Sequence, residues 1–183
     1  MVVTDGRQKA VPWMNSATNH GPVIPRSGYL VEFNALWYNA ICFALEMENK
    51  FGSKKSQFIN KWTSIRDLVK LNFTKTFWNE SRGFLADYVD NYGQHMDVRP
   101  NQIYAIWCNY SPVEEEFYPS ILKVVDSELV TSRGIRTLSP RNAAYKGVYE
   151  GAQAARDEAY HQGCTRPFLL EPYVEVCLRV KGP

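Results

Sequence analysis

Val31-Glu32-Phe33-Asn34-Ala35-Leu36-Trp37-Tyr38-Asn39-Ala40-Ile41-Cys42-Phe43-Ala44-Leu45-Glu46-Met47-Glu48-Asn49 is the stretch on which the fold turns. Apolar residues recur at Phe33, Leu36, Trp37, Ala40, Ala44 and Met47, the spacing of a helix face. Ile41, Phe43 and Leu45 fill much of the other side, so the segment reads as an inner helix packed on several sides. A second periodic run from Ser56 to Trp78 passes through Phe58, Trp62, Ile65, Val69 and Phe73, with Lys54, Lys55, Lys61, Arg66 and Lys70 elsewhere on its surface. That one is amphipathic and belongs outside.

Working outward, the first 31 residues hold Pro12, Pro22 and Pro25 with Gly6, Gly21 and Gly28, so they should be irregular with at most short strands or turns. Between Glu80 and Asp97, Gly83 and Gly93 bracket Phe84-Leu85-Ala86-Asp87-Tyr88-Val89, which suits a short hairpin or an extended loop. Pro100 can occupy the first turn of a third helix over about Asn101 to Asn109, burying Ile103, Ile106 and Trp107. Ser111-Pro112-Val113-Glu114 resembles a capping box opening a fourth helix to about Val130, which Pro119 should kink or delay. A loop of about thirty residues follows from Thr131 to Gly163, a length that points to function. Pro167 can open a last helix that buries Leu170, Tyr173, Val174, Cys177 and Leu178 and bends at Pro172. The pattern is all-α, with inner and outer helices alternating and long loops between them.

The whole chain is 183 residues with 45% hydrophobic and 22% charged residues, a globular composition that reads as one domain over residues 1–183. A formal charge of +2, with both signs interspersed, argues against nucleic acid as a partner. Cys42, Cys108, Cys164 and Cys177 have no metal-ligand or redox spacing and read as buried thiols. His20, His95 and His161 are too scattered for a metal site, and no cofactor motif occurs. No signal peptide or membrane span is visible, so the simplest location is the cytoplasm. There is no nucleophile elbow and no phosphate-binding glycine loop.

What remains is a set of polar and aromatic loop segments suited to neutral polyhydroxyl ligands, on whose ring faces aromatics stack. Trp13-Met14-Asn15 comes first, followed by Arg26 and Glu32. Glu32 reads equally as a carboxylate at the positive end of a helix dipole and as one held at a cavity mouth by Arg26. Asp97, Arg99 and Asn101 open a helix, either as cap and ion pair or as ligand groups. Tyr145-Lys146-Gly147-Val148-Tyr149-Glu150-Gly151 is a solvated loop or a flap, and Tyr160-His161-Gln162-Gly163 precedes the last helix.

In this order the segments resemble the amylo-α-1,6-glucosidase domain of glycogen debranching enzymes. The matching stretches are residues 12–15, 21–26, 31–40, 77–80, 97–101, 132–138, 145–151 and 156–175. The resemblance implies a portion of a six-hairpin (α/α) toroid, its site among long loops at one end, with about five of twelve helices present, as in a C-terminal piece of that domain. It implies an inverting α-1,6-glucosidase, which needs a carboxyl acid and a carboxylate base ~6.5–9.5 Å apart. The family's first loop reads Trp-Met-Asp, the aspartate being its acid, whereas Asn15 stands here. The base is expected after the last helix, beyond Pro183. A second departure is Cys164-Thr165-Arg166-Pro167-Phe168, where many relatives carry Val-Trp before the proline. Carried over as substrate-binding residues are Trp13, Arg26, Glu32, Asp97, Arg99, Asn101 and His161. The expectation is therefore a debranching enzyme-like fragment that acts on or binds α-glucan and is weak or inactive in isolation. Its partners would be oligosaccharide and the remainder of the catalytic domain or a second copy. The alternatives are a non-catalytic α-glucan-binding pseudoenzyme and a helical assembly domain.

Overall fold

The computed structural model describes residues 1–53 and 57–183. Ser56, Lys54 and Lys55, the expected start of the second helix and its first basic residues, lie outside them. Six helices and ten very short strands alternate along the described residues. The strands form four antiparallel sheets, ordered β1-β2, β10-β9-β8, β3-β6-β7 and β4-β5. The all-α expectation is therefore wrong: the fold is mixed α/β, and no (α/α) toroid is present. The physical reason is that each strand is only two or three residues long. A pairing of that size leaves no period-2 signature in the sequence.

The amino-terminal loop contributes β1 (Ala17–Thr18), β2 (Gly21–Pro22) and β3 (Tyr29–Leu30). β3 runs directly into α1 (Val31–Phe51), whose first amide donates to the Asp87 carbonyl. α1 buries Val31, Asn34, Ala35, Ile41, Cys42 and Leu45. This is one helical stripe, and it is not the one the sequence pattern favoured. Leu36 and Ala40 face outward, Phe43 is 54% exposed, and Trp37 is only half-buried, its ring edge-on to Trp62 at 5.6 Å. With apolar residues all round, periodicity could not select the core face; Asn34 decides it, accepting from the Val2 amide and donating to the Leu30 carbonyl.

α2 (Gln57–Phe77) is the expected amphipathic outer helix and buries Val69, Phe73 and Phe77. Two hairpins follow, β4 (Trp78–Asn79) with β5 (Phe84–Leu85) and β6 (Tyr88–Asp90) with β7 (Gly93–His95). β3 adds to β6, where Gly28 (φ 94°) is required because a Cβ there would lie 2.2 Å from the Val89 carbonyl oxygen. A 3-10 turn (Pro100–Gln102) leads into the short α3 (Ile103–Trp107), in which Ile103 and Ile106 are buried and Trp107 is half-buried.

Pro119 delays α4 (Tyr118–Glu128) to its own first turn, where a missing N–H costs little. Ser111 accepts from the Val113 amide instead of capping near Glu114. The expected long loop contains β8 (Val130–Thr131), β9 (Gly134–Arg136) and α5 (Gln153–Ala159). β10 (Thr165–Arg166) pairs with β9 and precedes a 3-10 turn (Pro167–Leu169) and α6 (Leu170–Lys181). In α6 the buried residues are Pro172 and Val176, while the expected Leu170, Val174 and Leu178 are exposed. Arg179 of α6 closes the carboxyl end of α3 by donating to the carbonyls of Cys108 (3.0 Å), Trp107 (3.3 Å) and Ile106. The core, made of Phe73, Phe77, Leu85, Ile103, Ile106, Ile121, Leu122 and Val125 with their neighbours, packs α2, α3 and α4 under the hairpins.

The face assignment of α1 has a direct mutational test. Ile41→Ala should cost about 2–5 kcal/mol, as for a buried aliphatic, and Phe43→Ala only about 0.5 kcal/mol, as for a surface change. Chemical denaturation of the two variants reads the difference.

Candidate functional site

At the loop end of the molecule the chain buries charge. Arg26, at the end of the amino-terminal loop, is 0% exposed. It donates to both oxygens of Glu32 in the first turn of α1, at 2.5 and 2.7 Å, a bidentate fork. The same guanidinium donates to the Asp87 carbonyl at 2.9 Å and to its Oδ1 at 3.1 Å, while Arg26 Nε lies 2.8 Å from Asp87 Oδ2. Asp87, between β5 and β6 and 3% exposed, also accepts from Asn101 Nδ2 at 2.7 Å. Arg99 Nε lies 3.8 Å from Asp87 Oδ2, and its other nitrogens donate to the carbonyls of His161 (2.8 Å) and Thr137 (3.2 Å) and to Gln162 Oε1 (2.7 Å).

Two cations and two anions are thus buried together, with Asp97 as a half-exposed fifth charge 3.5 Å from Arg99. Burial works against the charge on Arg26, but the carboxylates of Asp87 and Glu32 outweigh it and raise its pKa above the usual value. Burial pushes Glu32 up, opposed by the Arg26 guanidinium, and lowers Arg99. Because Arg26, Glu32, Asp87 and Asn101 satisfy one another and are closed to solvent, they act as a frame and present nothing to a ligand.

The expected site residues therefore divide. Arg26, Glu32, Arg99 and Asn101 come together inside the frame. Trp13 is half-buried at its edge and donates from Nε1 to Asn101 Oδ1 at 2.9 Å. Met14 is turned inward, its sulfur 3.6 Å from Asn101 Nδ2, and Asn15 is exposed beside it. Asp97 accepts from Asn142 Nδ2 at 2.7 Å. His161 is 3% exposed, and its ring meets Trp13 edge-on at 5.2 Å and Tyr160 at 4.5 Å. Trp13 also meets the 54% exposed Phe168 at 5.4 Å, and Tyr160 meets Tyr149 at 5.6 Å. A continuous aromatic strip, Tyr149–Tyr160–His161–Trp13–Phe168, lies along the rim beside Asn15.

Sequence reading missed Asp87 as a centre of the frame, and it missed Phe168 as part of the strip. The signal for Asp87 is a carboxylate directly after the apolar pair Leu85-Ala86, where only an internal partner keeps it in place. Among the described residues no group of three or more His, Cys, Asp or Glu is placed to hold a metal, and no helix is long and apolar enough to cross a membrane.

The sequence profile described as Amylo-alpha-1,6-glucosidase matches residues 1–182, and the chain belongs to that family. A glycogen debranching enzyme of Saccharomyces cerevisiae (strain ATCC 204508 / S288c) is 27% identical over 174 residues, an alignment covering 78% of this chain. The chain spans 11% of the length of that relative.

Breaking the frame should be far costlier than trimming its rim. Asp87→Ala leaves Arg26 and Arg99 without their shared carboxylate and should cost about 3–5 kcal/mol, against at most about 1 kcal/mol for Asp97→Ala. Urea unfolding at constant salt compares them. Burial, with Arg166 and Arg99 adding to it, lowers the His161 pKa from 6.5 to about 4. The unfolded chain therefore takes up this proton first. The contribution of His161 is complete above pH 6.5 and is lost as pH falls toward about 4. His161→Phe should flatten the stability profile in that window, and an unchanged slope would contradict the assignment.

Proposed function

We propose that this chain is an α-glucan-binding portion, over residues 1–183, of a debranching enzyme-like glycoside hydrolase unit, and that it is catalytically incomplete alone. The observation that carries the reading is the rim: an aromatic strip with an amide at Asn15, where the resemblance places the acid. Flat apolar faces suit the faces of pyranose rings, and amides and carboxylates suit their hydroxyls. Of the candidate substrate-binding residues, Asp97 and Trp13 reach the rim, His161 lies buried within the aromatic strip, and Arg26, Glu32, Arg99 and Asn101 serve by holding it. An amide delivers no proton to a leaving glycosidic oxygen, and Glu32 and Asp87 are closed to solvent by their ion pairs, so neither is free to replace the acid. All four described cysteines are free, which supports a reducing compartment such as the cytoplasm.

A second reading, assembly with another polypeptide or a second copy, is favoured by one observation. α6 leaves Leu170, Val174 and Leu178 exposed on one face, and α1 leaves Leu36 and Phe43 exposed. The two readings are compatible, since a binding portion can be completed by assembly.

Melting the purified chain with malto-oligosaccharides and a branched dextrin, then assaying glucose in the same tubes, tests the proposal. Ligand at 100 times its dissociation constant adds ~2.7 kcal/mol of stability. The expected outcome is an upward shift without glucose release, lost in Trp13→Ala. Glucose release by the unaltered chain would overturn the incompleteness, and no shift with any glucan would overturn the binding.

A further inference from the structure

The aromatic strip is covered at one point by its own neighbour. The guanidinium of Arg166, in β10, lies 3.7 Å from the centroid of the Tyr160 ring, so it occupies one face of that ring. Its Nη2 donates to the Tyr160 carbonyl at 2.6 Å. Among the described residues Arg166 has no carboxylate partner, and its buried Nε has no hydrogen-bond partner. The adjacent His161 ring is buried with neither nitrogen hydrogen-bonded. Three polar atoms of two neighbouring side chains are therefore closed away from water without partners, a costly arrangement that a polar ligand or solvent would relieve. The charge on Arg166 is also one of the causes that keep the imidazole neutral, so the ring can both donate and accept.

We propose that Arg166 is a latch: it folds onto Tyr160, closes His161, and must swing away before a pyranose unit can stack on Tyr160 and meet the imidazole nitrogens. The latch deepens the α-glucan reading above and rests on it. It makes Arg166 a positioning residue that opposes binding, the opposite of what a hydrogen-bond donor beside a sugar site would suggest. β10 is a suitable support, because it pairs with β9 through only two residues, while Gly163 (φ 139°), between His161 and β10, lies against the Tyr145 ring and fixes the chain there.

The test compares the unaltered chain with Arg166→Ala and Arg166→Gln. Glutamine keeps a polar side chain of intermediate length and lacks the charge, so it carries the test should the alanine variant fold poorly. Diethyl pyrocarbonate modification is followed residue by residue by peptide mass spectrometry, with exposed His20 as the internal standard, and maltoheptaose affinity is measured by calorimetry. The latch predicts that His161 is protected in the unaltered chain and reacts severalfold faster in both variants. It also predicts maltoheptaose binding about three- to tenfold tighter, the weight of a cation–π contact that no longer competes. His161 equally protected in all three proteins, with maltoheptaose affinity unchanged or weaker in the variants, overturns the latch and leaves the α-glucan reading in place. Faster modification in the variants with no maltoheptaose binding by any of the three proteins supports the cover over His161 and overturns the α-glucan reading instead.

Discussion

One carboxylate organises the loop end of this molecule. Asp87 is approached by Arg26 through three nitrogen–oxygen contacts, by Asn101 through a hydrogen bond and by Arg99 at longer range. These partners come from the amino-terminal loop and from the entry to α3, and Glu32 joins α1 to the same group through Arg26. Apart from α1, these segments are too short in regular structure to hold themselves in place. Buried charge is expensive, and an ion cluster of this kind persists only when every member is paired, which makes it intolerant of any rearrangement of the segments that supply it. The aromatic rim inherits its shape from that intolerance: Trp13 hangs from Asn101, and the carbonyl of His161 is held by Arg99.

The division between frame and rim separates two ways in which a family motif can be retained. Arg26, Glu32, Arg99 and Asn101 stand in the motif positions, and the geometry makes them responsible for form. Asn15 is exposed at the position that the resemblance gives to the acid, and it takes no part in the frame. The exposed apolar faces of α1 and α6 are independent of the frame.

Much of the local structure was legible in the sequence. α2 announced itself by its period, Pro119 marked the delayed start of α4, and the segment from Glu80 to Asp97, read as one short hairpin or an extended loop, holds two hairpins. The core face of α1 was not legible, because Leu36, Phe43 and Met47 are as apolar as Ile41 and Leu45, and the choice rests on the three hydrogen bonds of the Asn34 side chain with the backbone of Val2 and Leu30. β8, β9 and β10 escaped, and so did the addition of β3 to β6, because pairing of two residues is a tertiary event, visible only once Gly28 lies against Val89. Residue types predicted the members of the charge cluster better than their roles: Arg26 with Glu32 was readable from a separation of six residues, whereas Asp87 lies 61 residues from Arg26 and has only its apolar neighbours to mark it.

Hydrogen–deuterium exchange of the chain with and without maltoheptaose tests the frame-and-rim account most directly, because it maps both at once. The account predicts slow exchange around Asp87 and at the start of α1 whether or not glucan is present. It predicts ligand-dependent protection confined to residues 12–16, 142–149 and 160–168. Fast exchange around Asp87 in the free chain, or protection by glucan that falls on other segments, would contradict it.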